Sequence, residues 1–124
     1  MPRVEVILFQ EVESKAPALI EWLDGLSQKA RLKCLGRLKR LEDMGHELRR
    51  PEADFLRDGI YELRASYQGV HYRMLYFFHG RSVVVVTHGV VKEREVPAKE
   101  IDKALRARDA FLRDPNVHTF KPEG

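Results

Sequence analysis

Val4, Val6 and Leu8 alternate with Arg3, Glu5 and Ile7 in a β-branched setting, a period of two that predicts a short first strand ending near Phe9. The period then lengthens. Leu19, Ile20, Leu23 and Leu26 recur at helical spacing, with Ser14 placed to cap the helix, Pro17 tolerated in its first turn and Gly25 weakening its end. Ser27 caps a second helix. Along it Leu32, Leu35, Leu38, Leu41 and Met44 form a stripe at intervals of three, read as facing the core, and Gly45 stops it. The two helices make a hairpin.

From His46 to Gly59 the periodicity disappears, and Pro51 among mixed charges predicts a connecting loop with room for one short turn. Three strands follow over Ile60 to Ser66, Val70 to Phe78 and Ser82 to Val91, joined as antiparallel hairpins by Gln68-Gly69 and Gly80-Arg81. Pro97 opens a last helix with Ile101, Ala104, Leu105, Phe111 and Leu112 on its apolar side, Pro115 ends it, and residues 114–124 read as a loose tail. The predicted order is β-α-α-β-β-β-α: an α+β fold in one domain spanning residues 1–124, its helices packed on one sheet face.

Composition narrows this picture without redirecting it. At 124 residues and 44% hydrophobic the chain can build one modest core. Its one cysteine, Cys34, has no internal partner and reads as a buried hydrophobe in a reducing compartment. Met1 to Gln10 holds no apolar run behind basic residues, and nowhere do apolar residues extend far enough to cross a bilayer. Secretion and membrane insertion are therefore disfavoured, and a cytoplasmic location is expected.

The net charge of +3 says less than its distribution. Lys29, Arg31, Lys33, Arg37, Lys39 and Arg40 fall between Gln28 and Leu41 with no acid among them, a solvated helix face or a polyanion contact. The strand-like stretch from Leu63 to Lys92 carries Arg64, Arg73, Arg81 and Lys92 with His71, His79 and His88, again without an acid. Two-residue turns fix hairpin register. They set Tyr61 against Tyr76, Leu63 against Met74 and Tyr67 against Val70 on an apolar face, and Arg64 beside Arg73, itself beside His88, on the other. His71 and Lys92 share that second face by alternation.

Like charges directly opposite each other are destabilising, so stability alone does not select such a row, and removing Arg73 is expected to relieve repulsion. A phosphodiester lying across the sheet converts the repulsion into binding, because guanidinium forks match phosphate oxygens. Cutting RNA without a metal needs a base for the 2′-hydroxyl, cations for the phosphorane and an acid for the leaving oxygen, roles open to Arg, His and Lys. The bland alternative pairs Arg64 with Glu62 or a loop acid and leaves His88 as a polar surface residue. No paired histidine spacing, cysteine cluster, HExxH motif or glycine-rich phosphate loop is present, so neither a metal site nor a cofactor is expected.

The runs Gly59-Ile60-Tyr61-Glu62-Leu63-Arg64, Tyr72 to Phe77, Val86 to Glu93 and Pro97 to Arg108 resemble the phage-derived HigB branch of the RelE/ParE toxin superfamily, with the close likeness extending from Asp58 to Arg113. The resemblance implies a RelE-like fold and the toxin of a type II toxin-antitoxin system. Such a toxin is an endoribonuclease that cleaves mRNA, often on the ribosome, and is silenced by a cognate antitoxin of helix-turn-helix type. It carries the family's basic positions onto Arg64, Arg73, Lys92 and Arg94. Arg64, Arg73, His88 and Lys92 are thus the expected catalytic residues, and His71, Arg94 and Glu62 the expected substrate-binding ones. The sequence departs from RelE in placing Glu62 where a basic residue is usual, and Val96 and Pro97 where a tyrosine follows the basic cluster. Two alternatives stay open: a ParE-like toxin that poisons DNA gyrase without cutting, and a nucleic-acid-binding regulator that has lost toxicity.

Overall fold

A computed structural model describes residues 3–92 and 94–122. The elements are β1 (Glu5–Phe9), α1 (Ala18–Asp24), α2 (Gln28–Met44), a 3-10 turn (Gly45–Glu47), β2 (Ala53–Arg57), β3 (Ile60–Tyr67), β4 (Val70–His79), β5 (Val83–Val91), α3 (Ala98–Arg113), α4 (Pro115–His118) and β6 (Thr119–Phe120). They build an α+β fold around one six-stranded sheet in the order β2-β3-β4-β5-β1-β6. All pairings are antiparallel except β1 with β5.

Two strands and a helical turn exceed the predicted order. The segment read as a loop after His46 contains β2, which pairs with β3 through the two-residue Asp58-Gly59 turn. The stretch read as a loose tail forms α4 and β6, and β6 pairs with β1 at Leu8 and Phe9. The His118 ring supports this docking by stacking on Phe9 at 5.2 Å, with its Nδ1 2.8 Å from the Gln10 carbonyl.

Helices cover both faces of the sheet, not one. On one side α1 and α2 bury Leu19, Leu23, Ala30, Cys34 and Leu41 against Leu63, Met74, Tyr76, Val84 and Val86. On the other side α3 lays Ile101, Ala104 and Phe111 over Ile60, Leu75, Phe77 and Val85. Each fully buried Leu, Ile or Phe contributes about 1.5–3 kcal/mol, so the sheet is held from both faces.

The stripe in α2 is corrected by geometry. Steps of three drift around a helix of 3.6 residues per turn. Leu41 is therefore fully buried while Leu32 and Leu35 stand 58% and 43% exposed, and Ala30, Cys34 and Leu41 face the core. Ser27 does cap α2, its hydroxyl accepting from the Ala30 amide at 3.2 Å. Ser14 caps nothing: Pro17 precedes α1, with no side-chain cap.

Candidate functional site

The turn at Gln68-Gly69 has both residues at positive φ (51° and 79°), the two-residue hairpin geometry that glycine makes accessible. It sets Tyr61 opposite Tyr76, Leu63 opposite Met74 and Arg64 opposite Arg73, as the alternation predicts. The next hairpin differs. His79 pairs with Val83, so its loop has three residues, and the register shifts again between Leu75 and Tyr76. The two displacements add, which preserves the faces but slides the partners. Arg73 faces Val90, and His88 faces Leu75.

The second shift is a bulge at Thr87, next to a close contact on the far side of the sheet. Gly89 lies beneath the Trp22 indole so closely that a Cβ there would fall 2.2 Å from the ring. The extra residue turns His88 under α3, where it is 4% exposed. Its Nε2 stands 3.0 Å from a Glu100 carboxylate oxygen and its Nδ1 2.9 Å from the Thr87 hydroxyl. The Thr87 hydroxyl, which also lies 3.3 Å from the Leu75 carbonyl, has one proton to give; a neutral ring keeps both its contacts when Nε2–H donates to Glu100 and that proton goes to Nδ1 rather than to Leu75. Burial, and after it the Lys103 ammonium, lower the His88 pKa, with Glu100 pulling the other way. Arg73 and His88 are therefore not the direct cross-strand partners expected, but lie diagonally on one face.

Beyond the reach of α3, the same face turns from apolar to charged. Glu62, 2% exposed, lies between the two arginines. Arg64 donates to its Oε2 from Nη2 at 2.8 Å and from Nε at 3.1 Å, and Arg73 Nε stands 3.4 Å from Oε1. Asp54, brought opposite Glu62 by β2, takes Arg64 at 3.3 Å and Arg50 at 2.8 Å. The Arg50 hydrogen bond holds the Asp54 carboxyl below the usual range, against a smaller opposing effect of burial. Arg37 donates to the Arg64 carbonyl at 2.9 Å and joins Arg40 in gripping Glu52, which fastens α2 to this part of the sheet.

Three guanidiniums thus meet two carboxylates, and the row expected to be purely cationic is an interleaved network. Pairing of Arg64 with Glu62, the bland alternative, is what forms. Arg73 is the exception. Among the described residues its Nε makes only the long approach to Glu62, and neither terminal nitrogen has a hydrogen-bond partner or is sealed from solvent. Its fork is open. Alternation puts His71, exposed, on the same face two residues away, and the Lys92 amide donates to the His71 carbonyl at 3.2 Å. Lys92 and Arg94 are exposed at this end, and Glu93 between them lies outside the described residues.

Of the seven expected site residues, Arg64, Arg73 and Glu62 are brought together, with His71 and Lys92 paired at the next position. Arg94 is placed in the adjoining loop, and His88 is withdrawn beneath α3. Asp54 and Glu100 were missed. The Asp58-Gly59 dipeptide followed by Ile60 was the available signal for Asp54, since it marks a hairpin and hence a strand before it. Among the described residues no group of histidine, cysteine and acidic side chains is arranged to hold a metal ion, and no helix is long and apolar enough to cross a membrane.

The fold is that of an α+β protein with a mostly antiparallel sheet, one face of which carries this network of arginines and carboxylates. The chain belongs to the phage-derived Gp49-like protein family (DUF891), whose model matches residues 21–109. No curated protein matches it.

Proposed function

We propose that this protein is the toxin of a type II toxin-antitoxin system, an endoribonuclease of the RelE-like kind that cuts mRNA without a metal. The observation that carries the reading is Arg73. Its Nε faces a buried carboxylate oxygen at 3.4 Å without a hydrogen bond to it, while among the described residues its two terminal nitrogens have no hydrogen-bond partner. That suits a bidentate grip on the non-bridging oxygens of a phosphodiester. Membership of a phage-derived Gp49-like family, associated with RelE-like toxins, favours the same reading.

In this mechanism Arg73, with Arg64 beside it, holds the scissile phosphate and follows its oxygens as they gain charge. The 2′-oxygen attacks phosphorus, its proton is taken up, and the 5′-oxygen leaves with a proton, giving a 2′,3′-cyclic phosphate and a 5′-hydroxyl. His71 is the histidine of that face within reach of substrate, and it takes the proton-carrying role expected of His88. Lys92 and Arg94 add positive charge at the same end. Glu62 acts through the arginines, since it is too buried to meet substrate. The partners are mRNA, on the ribosome, and a helix-turn-helix antitoxin; the site of action is the cytoplasm.

The withdrawal of His88 favours one competing reading, a toxin on this scaffold that binds its target without cutting. The test is RNA cleavage by purified protein in a chelator, with and without ribosomes, and with analysis of the product ends. We expect cleavage leaving cyclic phosphates. Growth arrest on induction with no RNA cut under either condition would replace the nuclease with the binding toxin.

A further inference from the structure

A second surface adjoins the guanidinium cluster at the β2 edge of the sheet, on its opposite face. Four rings run across it. His46 stacks on Phe78 at 3.7 Å, Phe78 meets Tyr61 edge-on at 5.3 Å, and Tyr61 meets Phe55 edge-on at 5.3 Å. The inner rings pack against the core, which explains Tyr61 and Phe78 without any ligand. Phe55 is different: it is 53% exposed on an edge strand, where a bare aromatic is a liability unless something covers it.

Cations flank this strip. Arg49 donates to the carbonyls of His46 and Leu48 and pairs with no carboxylate among the described residues, so its charge is not cancelled. Arg50 pairs with Asp54, which also takes Arg64 from the other face. The strip and the Arg64–Arg73 cluster are thus joined through one carboxylate. A cleft of about 580 Å³ lies between His46, Arg49, Arg50, Asp54, Phe55 and Tyr61.

We propose that Phe55, with Tyr61 behind it and Arg49 beside it, is a stacking subsite for an unpaired base of single-stranded RNA that passes round the β2 edge from the phosphate held by Arg73. The inference rests on the ribonuclease reading and adds the requirement that the RNA be single-stranded there. A nucleotide has a base face to stack on Phe55 and a backbone phosphate for Arg49, which lines the same cleft, the combination that single-strand binding surfaces use. Leu48 and Ala53, the aliphatic residues lining the cleft, are buried, so it offers rings and guanidiniums rather than the aliphatic surface a protein helix would cover. Stacking accepts any base, so the subsite contributes affinity and strandedness, not sequence preference.

The probe is a single-stranded 2′-O-methyl RNA of mixed sequence, which cannot be cut, with 2-aminopurine at successive positions. Binding to the parent should quench 2-aminopurine at one position. Phe55→Ala should abolish that quench and weaken binding by about 5- to 150-fold, leaving the salt dependence unchanged because no phosphate contact is lost. Phe55→Trp should restore both signals, and Arg49→Gln should lower the salt slope by about 0.7. Parental affinity and quench in a folded Phe55→Ala, with binding still weakened by Arg73→Ala, overturn the subsite and leave the RNA reading standing. Failure of the parent to bind the RNA either free or in the presence of ribosomes overturns both. If Phe55→Ala binds RNA normally but loses a protein partner, the strip belongs to that partner and the proposal fails.

Discussion

Arg73 has two tasks, one on each side of its guanidinium, and substitutions separate them. Toward the interior it compensates Glu62, whose side chain is 3% exposed while that of Arg73 is 13% exposed. Arg73→Ala leaves a buried carboxylate oxygen without its nearest cation. Because Arg64 still pairs with the other oxygen, the cost should be moderate, about 1–3 kcal/mol. This reverses the expectation from a row of like charges, in which removal relieves repulsion. Toward solvent the fork is proposed to hold phosphate, and losing one preorganised donor would cost on the order of 10²–10³ in rate. Arg73→Lys should keep most of the stability and still lose most of the cleavage. Urea unfolding and single-turnover cleavage of both variants test this, and parental cleavage by a folded Arg73→Ala would remove the site.

His88 makes a different prediction because it is neutral and enclosed. Its pKa is lowered in the folded state, chiefly by burial, so the unfolded chain binds more protons between the folded and unfolded values. Stability should be fully present above a pH of about 6.5 and decline as pH falls through that value toward the folded pKa. The carboxylates held low by arginines, Asp54 and Glu52, lose stability only at more acidic pH. Melting temperatures from pH 8 to 5 should therefore fall in the parent and fall less in His88→Gln. Equal slopes in the two proteins would place the titration elsewhere.

Among the elements, β5 decides the geometry of the site, because its bulge sets which residues of β4 meet which of its own. The Trp22 indole in α1 lies over Gly89 and leaves no room for a side chain. Gly89→Ala should destabilise by about 1–3 kcal/mol through overpacking. Combining it with Trp22→Leu should cost less than the sum of the two single changes, with a coupling of about 0.5–3 kcal/mol in a double-mutant cycle. Strict additivity would mean that the two residues do not share this contact. Ser27 shows the opposite situation: its role as the cap of α2 was evident beforehand because capping involves only a few consecutive residues.

At the scale of the whole molecule, the two cores lie back to back across one sheet, so opening either face exposes the other. Cys34 reports on this. It is fully buried between α2 and the sheet, and burial pushes its thiol up to about 11. A thiol reagent at neutral pH should therefore react at the rate of unfolding, and mild urea should accelerate labelling in parallel with loss of structure. Immediate reaction in native buffer would show that α2 opens by itself.

The four strands β1, β3, β4 and β5, the first hairpin register and the Arg64–Arg73 pair were determined by the sequence alone, because alternation and a two-residue glycine turn act over a few consecutive residues. So were the cap and stop of α2. Only the tertiary structure decided that His88 leaves its place opposite Arg73, since a three-residue loop and a bulge together slide the register by two, and Gly89 beside that bulge packs under an indole more than sixty residues away in the chain. It likewise decided that the row is not purely cationic. Glu62 shares the face of Arg64 by simple alternation, but Asp54 arrives on a separate strand whose five residues carry too short a pattern to be recognised. Charges from segments far apart in sequence find one another through packing, and no local periodicity records that meeting.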